Sequence, residues 1–135
     1  LIEVYIDGAS AGDPGYSGAG IFIKHNGEVE RFSIPLGLKD NHEAEFYACI
    51  HALEICIEKD FQVVSFRSDS QAVVAAVEKE FVRNPKYKIL LDQILELSSK
   101  LPLFFIKWVP SKENKTADEL ARKAIRLNQG VDPSE

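Results

Sequence analysis

The chain has 135 residues, 45% of them hydrophobic, with 21 acidic against 16 basic side chains and a net charge of −5. Its length suits one domain with a substantial core, and no run approaches the roughly 18 to 20 consecutive apolar residues that a membrane span needs. The acidic balance argues against tight nonspecific binding of nucleic acid through bulk charge, but a site built from carboxylates is neutralised by the cations it holds.

The chain opens in a β-branched and aromatic run, Leu1-Ile2-Glu3-Val4-Tyr5-Ile6-Asp7, which reads as a first strand ending in Asp7-Gly8. There is no Met and no leading signal peptide, so the natural start is expected to have been removed. The Gly- and Pro-rich stretch from Gly8 to Gly18 reads as a loop, and Gly20 to Lys24 as a second strand. Asn26-Gly27 then precedes a third strand, Glu28 to Leu36, and Asn-Gly between two such runs is the strongest short hairpin signal. Phe32, Ile34 and Leu36 share one face of that strand. Pro35 donates no ladder bond and predicts an edge position.

From Asn41 to Glu58 the spacing turns helical, with Ala44, Ala48, Cys49, Ile50, Leu53, Cys56 and Ile57 making a wide apolar surface. Phe61 to Asp69 reads as a strand and Ser70 to Glu80 as a helix broken by Asn84-Pro85. Tyr87 to Lys100 is a further amphipathic helix, Leu103 to Val109 the last strand, and Thr116 to Leu127 the last helix. Residues 1–129 are expected to form one domain and residues 130–135 a frayed tail. The order β-β-β-α-β-α-α-β-α predicts an α/β fold, a mixed sheet with helices on both faces.

Cys49 and Cys56 lie seven apart on a helix, so their Cα atoms are ~10 Å apart, beyond the roughly 7 Å limit of a disulfide. Two reduced core cysteines suit a cytoplasmic protein.

Four acids stand out: Asp7, Glu45, Asp69 and Asp118. Each has a plain structural explanation. Asp7-Gly8 is a turn at a strand end, Asp69 an N-cap for the next helix, and Asp118 part of a capping box between Thr116 and Glu119. Glu45 is harder to explain that way, because it falls in the first turns of the most apolar helix, where an unpaired carboxylate is costly. Three of the four lie at strand ends or just beyond, where ligands of open α/β sheets bind. Gathered around Asp7, they form an all-oxygen site suited to Mg²⁺ or Mn²⁺ rather than zinc.

Tyr5-Ile6-Asp7-Gly8-Ala9-Ser10 resembles the first-strand signature of type 1 ribonucleases H. Asn41-His42-Glu43-Ala44-Glu45-Phe46-Tyr47-Ala48 resembles that family's central-helix motif, Ser68-Asp69-Ser70-Gln71 its third, and Asn114-Lys115-Thr116-Ala117-Asp118-Glu119-Leu120-Ala121 its last. The resemblance implies a ribonuclease H-like fold with a five-stranded mixed sheet. It also implies cleavage of the RNA strand of RNA–DNA hybrids by two metal ions, leaving 5′-phosphate and 3′-hydroxyl ends. In that scheme Asp7 bridges both ions, Asp118 helps hold the ion at the attacking water, and Glu45 and Asp69 hold the ion at the leaving oxygen. Asn41, His42, Gln71, Asn114 and the backbone at Gly8, Ala9 and Ser10 are the substrate-binding candidates, with recognition resting on shape and 2′-hydroxyls.

The sequence departs from the pattern in three places. Asp40 stands where many members have a Thr that helps hold a DNA phosphate, though Asp40 and Glu43 also read as a capping pair. The loop between Trp108 and Asn114 is short and carries no His, since the histidines are His25, His42 and His51, which leaves Glu113 as an auxiliary candidate. The stretch from Phe81 to Lys88 is too short for the basic protrusion that some relatives use to grip the hybrid. A nuclease of the same fold with another nucleic-acid substrate, or a non-catalytic binding module, are the alternatives. The protein is expected to be a monomer with no membrane association.

Overall fold

At Asn26 and Gly27 the backbone takes the left-handed conformation twice in succession, with φ of 51° and 79°. Such a turn matches the twist of the strands it joins. β2 (Gly15–His25) and β3 (Glu28–Lys39) are therefore an antiparallel hairpin, with a bulge between Ser17 and Gly18. β1 (Ile2–Ser10) pairs antiparallel with β2 and parallel with β4 (Val63–Ser68), which pairs parallel with β5 (Leu103–Trp108). The computed structural model describes residues 1–129. The tail expected at 130–135 lies outside the described residues. The sheet order is β3-β2-β1-β4-β5, so Pro35 does sit on an edge strand.

The stretch 8–18, read as loop, is mostly strand: β1 runs on to Ser10 and β2 begins at Gly15. Gly8 in this stretch, and Gly20 beyond it in β2, serve helix approach rather than turning. A Cβ on Gly8 would overlap the backbone carbonyl of Ala44, and one on Gly20 the carbonyl of Ala117. With only hydrogen in those places, two helices settle directly onto the backbone of β1 and β2.

These helices are α1 (Asn41–Glu58) and α4 (Lys115–Gln129), on opposite faces of the sheet; α2 (Gln71–Lys79) and α3 (Pro85–Ser98) accompany α1. The expected capping pair starts α1. Asp40 accepts from the Glu43 amide at 2.7 Å, and the Glu43 carboxylate accepts from the Asp40 amide at 2.9 Å. The cap of α2 is Ser70, not Asp69, and this leaves the Asp69 carboxylate free of that duty. Asn84-Pro85, which ends one helical pattern, also begins the next: Asn84 caps α3 and Pro85 occupies its first turn. α4 begins at Lys115, with the Asp118 amide bonded to the Asn114 carbonyl at 3.1 Å, so Thr116 lies inside the first turn rather than at the expected cap.

Ile2, Val4 and Ile6 point from β1 to the α1 side, where they join Ile21, Ile23, Val64, Phe66, Leu53 and Ile94 in the core. Each such side chain contributes about 1.5–3 kcal/mol by leaving water. Both cysteines are free and buried in this layer. His25, on the hairpin, packs edge-on against Phe61 with ring centroids 5.2 Å apart. On the other face α4 lies over β1, β2 and β3 only.

Candidate active site

β1 is the strand at which the sheet changes direction. Its pairing with β4 ends at Ile6↔Ser68, while its pairing with β2 continues to Ser10. The sheet therefore opens just past Ile6 and Ser68, and the next residues on the two diverging chains are Asp7 and Asp69. The close seat of α1 over Gly8 brings Glu45 to one side of this opening. The close seat of α4 over Gly20, the register partner of Asp7, brings Asp118 to the other. Asp7, Glu45, Asp69 and Asp118 together line one open cleft of about 500 Å³, with Gly8, Ala9, Ser10, Ala11, Asn41, Arg122 and Ile125 completing its walls.

The acids disturb one another strongly. Asp7 is only 9% exposed. Burial first, then the charges of Asp69, Asp118 and Glu45 together with a hydrogen bond shared with Asp118, push its carboxyl up to about 9. Burial also raises Glu45, against the opposing pull of His42, whose Nδ1 lies 3.1 Å from Glu45 Oε1. Arg122 Nε donates to Asp118 Oδ2 at 3.0 Å.

Residues 5–124 match the protein family described as Reverse transcriptase-like. The chain is 40% identical to EbsB of Enterococcus faecalis, whose name describes a hydrolase, over 93% of this chain and 95% of that one. It is 30% identical to Ribonuclease H of Geotalea uraniireducens over 98% of this chain and 99% of that one. Among solved structures it superposes on LC11-RNase H1 in complex with RNA/DNA hybrid with a TM-score of 0.87 at 28% identity, covering 96% of this chain and 99% of that one. The chain belongs to the type 1 ribonuclease H family.

It is a ribonuclease H-type hydrolase, and its family generally works with divalent metal ions. The cleft fits such ions by its donor set, which is all oxygen, and by the burial and neighbouring negative charge that raise the Asp7 carboxyl, which a cation would offset. The carboxylates are not closed into a cage: among the described residues no three His, Cys, Asp or Glu side chains are arranged around a common ion position. Two of the acids turn instead to basic side chains, Glu45 to the His42 imidazole and Asp118 to the Arg122 guanidinium.

Of the substrate-binding candidates, Gly8, Ala9, Ser10 and Asn41 line the ribonuclease H cleft. The Ser10 hydroxyl also donates to the Lys39 carbonyl at 3.0 Å, tying the first hairpin to the start of α1. His42 is exposed and reaches the cleft only through Glu45. Three candidates need correction. Gln71 is exposed at the first position of α2 and is not among the residues lining the cleft. Asn114 is 1% exposed, and its Nδ2 donates to the Ile6 carbonyl at 2.9 Å. It is a positioning residue that clamps the start of α4 to β1, and so Asp118 to Asp7. Glu113 lines a separate depression with Tyr5, Phe22 and Lys24, away from the acids.

One contributor escaped the sequence reading, and a second had only a spacing to show it. Trp108 Nε1 donates to the Asp69 carbonyl at 3.2 Å and holds that backbone in place across two strands, a contact with no sequence signal. Arg122 pairs with Asp118 inside the cleft, and here the i, i+4 spacing on one helix was a usable signal.

Proposed function

We propose that this ribonuclease H cuts the RNA strand of RNA–DNA hybrids with two divalent ions, Mg²⁺ or Mn²⁺, leaving 5′-phosphate and 3′-hydroxyl ends. The observation that carries the reading is the convergence of Asp7, Glu45, Asp69 and Asp118 on one cleft, with Asp7 buried among the other three. The similarity to LC11-RNase H1, solved with an RNA/DNA hybrid, supports the substrate. When bound, the ions activate the attacking water and offset charge on the leaving oxygen.

The chain's own residues do the rest. Asp7, flanked by acids on both sides, would hold both ions, Asp118 the one on the water side, and Glu45 and Asp69 the one on the leaving side. The backbone of Gly8 to Ser10 offers a thin wall against which a sugar edge can lie, and Asn41 stands at its rim. Arg122 places a guanidinium beside Asp118, where it can meet a phosphate oxygen once Asp118 turns to an ion. Asp40 presents little free charge to a DNA phosphate. Burial alone would raise its carboxyl, but the Glu43 amide, Lys86 Nζ at 2.8 Å and the Tyr87 hydroxyl at 3.1 Å outweigh that and hold it low. The free, buried cysteines accord with action as a monomer in a reducing cytoplasm.

The test is cleavage of a labelled hybrid beside an RNA duplex and a DNA duplex, in Mg²⁺ and in Mn²⁺, with Asp69→Asn as the control. Cuts confined to the RNA strand of the hybrid and abolished by Asp69→Asn are expected. Full activity in Asp69→Asn would remove the site assignment, and preference for another duplex would replace the substrate.

A further inference from the structure

The face of the sheet that carries Asp7 and α4 is only half covered. α4 spans β1 to β3, and among the described residues no helix lies over the same face of β4 and β5. The register shows what this open area presents. One cross-strand row runs Arg31, Phe22, Tyr5, Arg67, Lys107, and the next runs Lys24, Glu3, Ser65, Phe105. Arg67 Nη1 donating to the Tyr5 hydroxyl confirms that these side chains share a side.

The chemistry of this face differs from that of the chain as a whole. The net charge is −5, yet Lys24, Arg31 and Lys107 stand in these rows, with Lys112 before α4 and Lys115 at its start beside them. Glu3, the only acid in the rows, is already paired with Arg67 at 3.0 Å. The rings of Tyr5 and Phe22 lie 6.0 Å apart, with Lys24 Nζ 5.4 Å from one centroid and 5.7 Å from the other. Phe105 is 53% exposed. Between the two rings and the segment 112–117, which runs into the first turn of α4, lies a depression of about 180 Å³. Asn114 contributes to its wall, and its buried Oδ1 has no hydrogen-bond partner among the described residues. Lys112 and Lys115 line both this depression and the groove holding Asp69, Asp118 and Arg122, so the two surfaces are continuous.

Phe105 is the exposed ring of these rows, while Phe22 is buried and Tyr5 half-buried beneath Lys24, Arg31 and Arg67; an exposed ring among cations on a sheet is what single-stranded nucleic acid uses, since bases stack on rings and phosphates follow the cations. We propose that this open face, from Tyr5 and Phe22 to Phe105 and Lys107, binds single-stranded nucleic acid. Its identity as a single-stranded extension of the hybrid rests on the nuclease reading above; the binding itself does not. An extension leaving the cleft crosses Lys112 and Lys115, reaches the depression beside Tyr5 and lays a base on Phe105.

The experiment reads binding without cleavage. A fluorescent oligodeoxythymidine of about 15 nucleotides, within the span of such surfaces, is titrated with the intact protein in EDTA and followed by anisotropy across salt concentrations. Comparison is with Lys24→Glu/Lys107→Glu and with Phe105→Ser, each checked for unchanged thermal unfolding. The charge reversal is expected to weaken binding tenfold or more and to flatten the log–log salt slope by about 0.7 for each phosphate that the variant no longer neutralises. Phe105→Ser is expected to weaken binding about fivefold or more, because a base can no longer stack there. Cleavage of a blunt hybrid is expected to be unchanged in both, while a hybrid with a single-stranded tail loses its KM advantage. Equal oligonucleotide affinity in wild type and variants overturns the proposal. So does a wild-type protein that ignores the oligonucleotide but binds polyglutamate, which would make the face a protein-docking surface. Failure to cut the blunt hybrid, with oligonucleotide binding still abolished by charge reversal, overturns the nuclease reading and leaves the surface standing.

Discussion

Replacing Asp7 by Asn should make the metal-free protein more stable while destroying its activity. The folded chain holds a proton on Asp7 up to about 9, whereas the unfolded chain gives it up near the ordinary value of 3.8. Between those two pH values the unfolded state binds fewer protons, so the stability of the wild-type protein falls as pH rises through that window and levels off above it. At about 1.4 kcal/mol per pH unit, the interval from 3.8 to neutrality costs on the order of 4 kcal/mol. Asn is neutral at every pH and escapes this cost, though it gives back part of it by losing the hydrogen bond shared with Asp118. A gain of about 2–3 kcal/mol at pH 7 should follow, or very roughly 10 °C in melting temperature for a domain of this size. The assay is thermal unfolding followed by circular dichroism in EDTA across a pH series. The gap between variant and wild type should be absent below the ordinary carboxylate range and should widen steadily up to about pH 9. Added Mg²⁺ should raise the wild-type midpoint and leave the variant unmoved. A variant that melts at or below wild type throughout, or a gap indifferent to pH, would refute the reasoning that repulsion is stored at Asp7.

Three further outcomes can be checked independently. Gly20→Ala drives a methyl into the Ala117 carbonyl, so α4 must lift; a loss of about 2–3 kcal/mol in urea unfolding, with a matching fall in hybrid cleavage, is expected, and a wild-type midpoint would contradict the close seat. Asp40→Ala removes the α1 cap, a side chain only 14% exposed, and should cost about 1–2 kcal/mol in the same assay, whereas Asp40→Asn should retain most of the cap; equal losses in the two would show that the ion pair with Lys86, not the cap, is what matters. Burial pushes the Cys56 thiol up to about 12 and raises that of Cys49 as well, so neither should be alkylated at pH 8 in the native state, and rapid modification without unfolding would place them elsewhere.

Much of the fold was legible because its signals are local. Asn26-Gly27, the Asp40–Glu43 capping pair, the edge proline at 35 and the wide apolar surface of α1 each act over a few residues, and the structure has them all. Where the reading went astray, a residue's role depended on something distant in the chain. Gly8 and Gly18 look like loop residues, yet both lie where a helix comes down onto a strand, as does Gly20 in β2. Asn114 looks like part of a polar motif facing substrate, yet its partner is the Ile6 carbonyl, more than a hundred residues earlier. Glu113 and Gln71 have the right chemistry but do not line the cleft of the four acids, which no spacing reveals.

The amino-acid order alone singled out Asp7, Glu45, Asp69 and Asp118 as candidates, because they fall in four motifs that resemble those of type 1 ribonucleases H and because a carboxylate inside an apolar helix is costly to desolvate unless a cation compensates it. Their meeting was decided by tertiary structure: a sheet that parts between β1 and β4, and two helices seated over Gly8 and Gly20, bring charges from four separate elements into one cleft. The open basic and aromatic face was likewise invisible in a chain that is acidic overall, since cross-strand register sorts its lysines and rings onto one side. Composition is a sum over residues, whereas a site is an arrangement of them, and only packing converts the one into the other.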